Sequence, residues 1–182
     1  MTEFTVHDKN TAPAESKDLL DVSIKAFGMV PNLHAVMAEA PGLLEGYQQL
    51  HQLFLDSSFD DEEITVVWQT INVEHECHYC IPAHTGIAKS MKVDDAITEA
   101  LRNETPLATE KLEALRDFTL SVVRDRGNVN DEAVQAFLDA GFTKRHILEV
   151  VLAAAQKVMS NYTNIWPTRQ STSLSKSLNG IK

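Results

Sequence analysis

Apolar residues recur at three- and four-residue spacing along most of this chain, the period of helices that bury one face. Residues 1–14 lack that period and read as a loose arm, with room for a short strand at residues 4–6 or for lying on a neighbouring subunit. A helix is predicted after Pro13, with Leu19, Leu20, Ile24 and Phe27 inward and Gly28 as its stop. Pro31 opens a second segment through Leu33, Val36 and Met37. Pro41 interrupts it and suits the first turn of a third helix, which carries Leu43, Leu44, Tyr47, Leu50, Leu53 and Phe54.

Residues 60–63 have the form of a capping box, with Asp60 accepting from the backbone and Glu63 reaching back. The helix they open presents Ile64, Val67, Trp68 and Ile71 inward. Ile81, Ile87, Ala88 and Met91 mark a fifth helix, and residues 93–101 a short sixth with Asp94 and Asp95 at its positive end. Leu112, Leu115, Phe118 and Val122 define a long helix ended by Gly127. Asn130 caps the next, with Val134, Phe137 and Leu138 inward, and Gly141 follows it. Thr143 is the expected cap of the last helix, and Pro167 its stop. Ile147, Leu148, Val150, Val151 and residues 153–155 make that helix apolar on more than one face, so it is expected to be central or at an interface. No alternating strand run of consequence, repeat or linker intervenes. The reading is a single all-α domain over residues 15–170, with the arm before it and a polar tail, residues 171–182, after it.

Composition narrows this picture. The 182 residues suit one domain with a sizeable core, and a formal charge of -10 disfavours nucleic-acid and anionic-membrane surfaces. No apolar run approaches the roughly 20 residues that span a bilayer, and the first ten residues lack the order of a secretory signal. A cytoplasmic protein is expected, and there a close cysteine pair is more often catalytic or metal-binding than a structural staple.

Both cysteines fall in residues 74–84, as Cys77 and Cys80, with His84 four residues after the second. Residues four apart share a helix face, so a helix beginning near Cys80 sets the His84 imidazole beside its sulfur. Pro82 fits the first turn of such a helix. A free thiol titrates at about 8.5, and the positive end of a helix lowers that value. A nearby carboxylate would orient His84 and keep it basic. Such parts can attack a peroxide, form a sulfenic acid and close it to a disulfide, or run thiol–disulfide exchange alone. Two alternatives stand beside this reading. Cys77, Cys80 and His84, with His75 or His78, could hold zinc; or the chain could be a non-catalytic helical oligomer whose pair binds metal or senses redox state. Asn161, Tyr162 and Asn164 read equally as hydrogen-bond support for the site and as a helix end.

The string Cys77-His78-Tyr79-Cys80-Ile81-Pro82-Ala83-His84 resembles the Cys-x-x-Cys-x-x-x-His motif of the AhpD-like alkylhydroperoxidase and carboxymuconolactone decarboxylase superfamily. The run from Phe27 to Leu33, the charged helix start at residues 60–65 and the asparagines near residue 161 are similar to it as well. The resemblance implies an all-α AhpD-like bundle that assembles as trimers or hexamers. It implies a peroxidase or thiol–disulfide oxidoreductase in which Cys80 meets a hydroperoxide, Cys77 resolves it and His84 moves the proton. An external dithiol restores the pair, and no cofactor or metal is needed. The chain departs from the pattern at Thr65, where the family carries a relay glutamate, and at Ile165, where members often have histidine. Glu63 and Glu74 are the nearest substitutes, and Glu74 is the expected one because Glu63 serves as a cap. The decarboxylase branch lacks the cysteine pair, so lactone decarboxylation is not expected.

Overall fold

The structure, a computed structural model, describes residues 4–165. After a short 3-10 turn at Ala14–Ser16 come α1 (Lys17–Phe27), α2 (Asn32–Met37), α3 (Pro41–Leu55), α4 (Asp61–Glu74), α5 (Cys80–Ser90), α6 (Asp95–Arg102), α7 (Glu110–Arg124), α8 (Asp131–Asp139) and α9 (Lys144–Ile165). Among the described residues there is no strand. The expected stop at Pro167, together with Trp166 and the polar tail, lies outside the described residues.

Helix α4 sits at the centre and packs against α5, α6, α7 and α9. Its start is the expected capping box: the Glu63 N–H donates to Asp60 at 2.9 Å, and the Asp60 N–H donates to the Glu63 carboxylate at 3.1 Å. Ten consecutive residues, Glu63 to Asn72, are buried, so the helix is enclosed on every side rather than on one stripe. Ile64, Val67, Trp68 and Ile71 join Phe54, Leu115, Phe118, Phe137, Val150 and Ala153 in the main core. A second core gathers Leu20, Leu33, Met37, Leu44 and Tyr47 from α1, α2 and α3. Helix α9 runs along both α3 and α4, so it joins the two.

Several expectations are corrected. The arm forms no strand at residues 4–6; the His7 N–H donates to the Ala35 carbonyl at 3.2 Å and Ala12 is buried in the second core, so the arm lies on its own chain. Ile24, Phe27 and Leu53 are exposed, because no other described helix covers that side of α1 and α3. Thr143 does not cap α9 through its hydroxyl. Instead its N–H donates to His146 Nδ1 at 2.9 Å. Gly28, Gly127 and Gly141 adopt positive φ at or just beyond helix ends, as their places in the sequence foretold.

Helix α9 turns Val150, Ala153, Gln156, Lys157, Ser160 and Asn161 inward. Its other side exposes Leu148, Val151, Val158, Tyr162 and Ile165, a stripe at steps of three, seven, four and three residues.

Candidate active site

The chain leaves α4 through Glu76, which holds the left-handed conformation at φ 49. That conformation is uncommon outside glycine and turns the backbone sharply toward α5. The Cys77 N–H donates to the Asn72 carbonyl at 3.0 Å, which ties the link back to α4. Cys80 is the first residue of α5, and its N–H donates to the Cys77 sulfur at 3.3 Å. Pro82 occupies the first turn, where a missing N–H costs nothing. The Cys-x-x-Cys pair therefore caps a helix N-terminus, the end that favours an anion.

Both cysteines are buried free thiols. Asn164, near the end of α9, donates its Nδ2 to the Cys80 sulfur at 3.2 Å. Burial opposes ionisation of Cys80, yet the Cys77 thiol, the Lys157 ammonium, Asn164 and Asn161 outweigh it and bring the thiol down to about 6. Cys77 moves the other way: its hydrogen bond to Cys80, then burial and the Cys80 charge, hold its proton firmly. The surroundings thus push the two thiols in opposite directions.

His84 is buried and stands edge-on to Trp68, ring centroids 4.8 Å apart. Its Nε2 lies 2.8 Å from Lys157 Nζ, and its Nδ1 is buried with no hydrogen-bond partner among the described residues. Burial, Lys157 and His51 all push its proton affinity well below the ordinary imidazole range. No hydrogen bond joins His84 to either sulfur; the ring that sequence spacing set beside Cys80 reaches Lys157 instead. Trp68 also stacks on His51 at 5.1 Å and donates its indole N–H to Gln156 Oε1 at 2.9 Å.

Glu74 is not the orienting carboxylate. It forms a two-pronged pair with Arg124 at 2.9 and 2.7 Å, and makes no hydrogen bond to His84. Glu63 is taken by the capping box and by Lys111 at 2.6 Å. Thr65 spends its hydroxyl on the Asp61 carbonyl of its own helix. His75 turns to Asn161 Oδ1 at 2.9 Å, and His78 is exposed. Among the described residues no three His, Cys, Asp or Glu side chains gather so as to hold a metal ion.

A chain of carboxamides backs the thiols. Gln69 donates to the Ile81 carbonyl and to Thr85 at 3.1 Å, Asn72 donates to Gln69 at 3.0 Å, and Asn161 donates to Asn72 at 3.0 Å. Of these, Asn161 was expected either to support the site or to end the helix; Gln69, Asn72 and Lys157 escaped the sequence reading. The signal was there: Lys157 follows Val150 and Ala153 by seven and four residues, a core position within an apolar run. A surface groove of about 570 Å³ between α7 and α8 holds none of these groups.

No protein-family model and no curated protein matches the sequence. Solved structures do resemble the fold. An uncharacterised peroxidase-related protein from Ralstonia eutropha JMP134, described as an alkylhydroperoxidase AhpD core, superposes with TM-score 0.82 at 18% identity over 95% of this chain and 94% of that one. A peroxidase-related protein from Silicibacter sp. TM1040 gives 0.78 at 18% identity over 98% and 96%. The debrominase Bmp8, in complex with 2,3,4-tribromopyrrole, gives 0.80 at 15% identity over 98% and 96%. The architecture expected from the sequence is therefore the one observed: all-α and AhpD-like.

Proposed function

We propose, from the AhpD-like fold and the paired thiols at the head of α5, that the chain is a cysteine-based peroxidase and thiol–disulfide oxidoreductase that reduces alkyl hydroperoxides. One observation carries this reading: Cys80 is drawn toward the thiolate by a thiol, an ammonium and two carboxamides, while Cys77, three residues before it, keeps its proton. A thiolate attacks the distal peroxide oxygen, the retained thiol condenses with the sulfenic acid, and an external dithiol reopens the disulfide. Cys80 attacks, Cys77 resolves and His84 takes part in the proton movement. The likeness in fold to a debrominase supports a halogenated aromatic as a second substrate class to test.

Thiol titration before and after one equivalent of an organic hydroperoxide tests the reading. The expected result is loss of both thiols with formation of one disulfide. Two thiols still free after the peroxide is added would overturn it. No described helix is long and apolar enough to cross a membrane, and a reducing compartment such as the cytoplasm suits a pair that must be re-reduced.

A homo-oligomer, trimer or hexamer, belongs to the same proposal. The exposed stripe of Leu148, Val151, Val158, Tyr162 and Ile165 supports α9 as its seam. Leu148→Glu combined with Val151→Glu is expected to reduce the sedimenting mass to that of one 20.2 kDa chain. An oligomer that survives both charges is not built on α9.

A further inference from the structure

Lys157 is fully buried, and its Nζ lies against His84 Nε2 at 2.8 Å. Among the described residues no carboxylate forms an ion pair with it. The titratable groups around it and the Cys80 sulfur are Cys77 and Tyr79 before α5, Cys80 and His84 on α5, and His51 and Tyr47 on α3. A buried ammonium with no countercharge costs several kcal/mol. Of those neighbours only a cysteine can supply a negative charge at neutral pH.

We infer that Lys157 is the charge partner of the Cys80 thiolate and the internal source of the proton that hydroperoxide reduction consumes. The inference rests on the proposed reaction of Cys80 and deepens it. Burial lowers the proton affinity of Lys157 while Cys80 and Cys77 raise it, so the amine holds its proton best when a thiolate is beside it. With Nε2 accepting from the ammonium, the neutral imidazole carries its own proton on Nδ1, the atom left without a protein partner.

The steps balance. The Cys80 sulfur attacks the distal oxygen, the S–O bond forms and the O–O bond breaks. The alkoxide leaves as alcohol with the His84 Nδ1 proton, as Nε2 takes one from Lys157. Lys157 is then a neutral amine and Cys80 a sulfenic acid. The Cys77 thiol gives its proton, by way of that amine, to the departing hydroxide; the S–S bond forms and water leaves. An external dithiol then returns two electrons and two protons, which restores the Cys77 thiol and the Cys80 thiolate; the second proton enters at His84 Nδ1 as Nε2 passes its own back to the amine, which restores the Lys157 ammonium and the starting tautomer. Lys157 acts on the sulfur through charge and through His84, so it is a positioning residue.

Thiolate absorbance at 240 nm, followed against pH, tests this in the parent, Lys157→Met and Lys157→Arg. The parent midpoint is expected near about 6. Lys157→Met should carry it above the ordinary thiol value of about 8.5. Lys157→Arg keeps the charge and the low midpoint, but a guanidinium does not give up its proton, so hydroperoxide turnover should fall at least about tenfold. A Met variant with the parent's midpoint, or an Arg variant with the parent's turnover, overturns the inference. The parent alone supplies a further check should the variants not fold. Oxidised by one equivalent of hydroperoxide at pH 8, it should draw no net proton from a dilute buffer, whereas uptake of one per disulfide overturns the inference. The absorbance titration needs no peroxide. A parent that titrates near 6 yet consumes none therefore sinks the peroxidase reading and with it the proton-source half of this inference, and leaves only the Lys157–Cys80 charge pairing standing.

Discussion

Cys80→Ser is expected to abolish hydroperoxide turnover, by at least about a thousandfold, while the helical circular dichroism stays as in the parent. The loss corresponds to about 4 kcal/mol of transition-state stabilisation. Serine fills nearly the same space at the head of α5 and still accepts from Asn164. Its hydroxyl does not ionise near neutral pH, so the charge that Lys157 and the helix terminus favour never forms. Cys77→Ser is the control with a different outcome. It leaves the attacking thiolate in place and its hydroxyl still donates toward Cys80, so one turnover proceeds and a sulfenic acid persists. Mass spectrometry after dimedone treatment should find the adduct on Cys80 in that variant alone. Full turnover by Cys80→Ser would move the chemistry elsewhere.

Trp68→Ala is expected to cost about 3–5 kcal/mol of stability, the range for deleting a large buried ring. That is a large share of the roughly 5–15 kcal/mol that holds a domain folded. The indole is buried in the main core against Phe54 and His51, and its N–H satisfies Gln156. Removal leaves a void and an orphaned buried carbonyl. Trp68→Phe retains most of the ring and loses only the hydrogen bond, so about 1–3 kcal/mol is expected. Urea midpoints should fall in the order parent, Phe, Ala. The indole also borders the His84 ring at 4.8 Å, so the alanine variant should lose turnover before it unfolds. A urea midpoint for Trp68→Ala equal to the parent's would remove α4 from the centre of the fold.

The helices were legible because each buries a face, and apolar spacing records that face directly. Their ends were legible where chemistry fixes them, at Asp60 with Glu63 and at Gly28 and Gly127. Spacing names the side that is apolar and not the side that is covered. Ile24, Phe27 and Leu53 thus read as core and lie at the surface, while Leu148 and Val151, read as central or at an interface, are exposed on this chain. The cysteines could be found because three residues and a helix start bring them together locally. The partner of His84 could not, since Lys157 comes from the other end of the chain, 73 residues on. Glu74 was assigned by nearness along the chain, but Arg124 approaches from α7 and claims it. A lysine inside an apolar run is ambiguous from sequence, because its long stem can carry the charge out to water. Here it stays in.

The frame behind the sulfurs is made of Gln69, Asn72 and Asn161. Amide side chains neither gain nor lose charge across the range in which proteins survive. Acid that protonates the Cys80 thiolate therefore leaves its mounting intact. Below neutrality the molecule should fall silent well before it loosens.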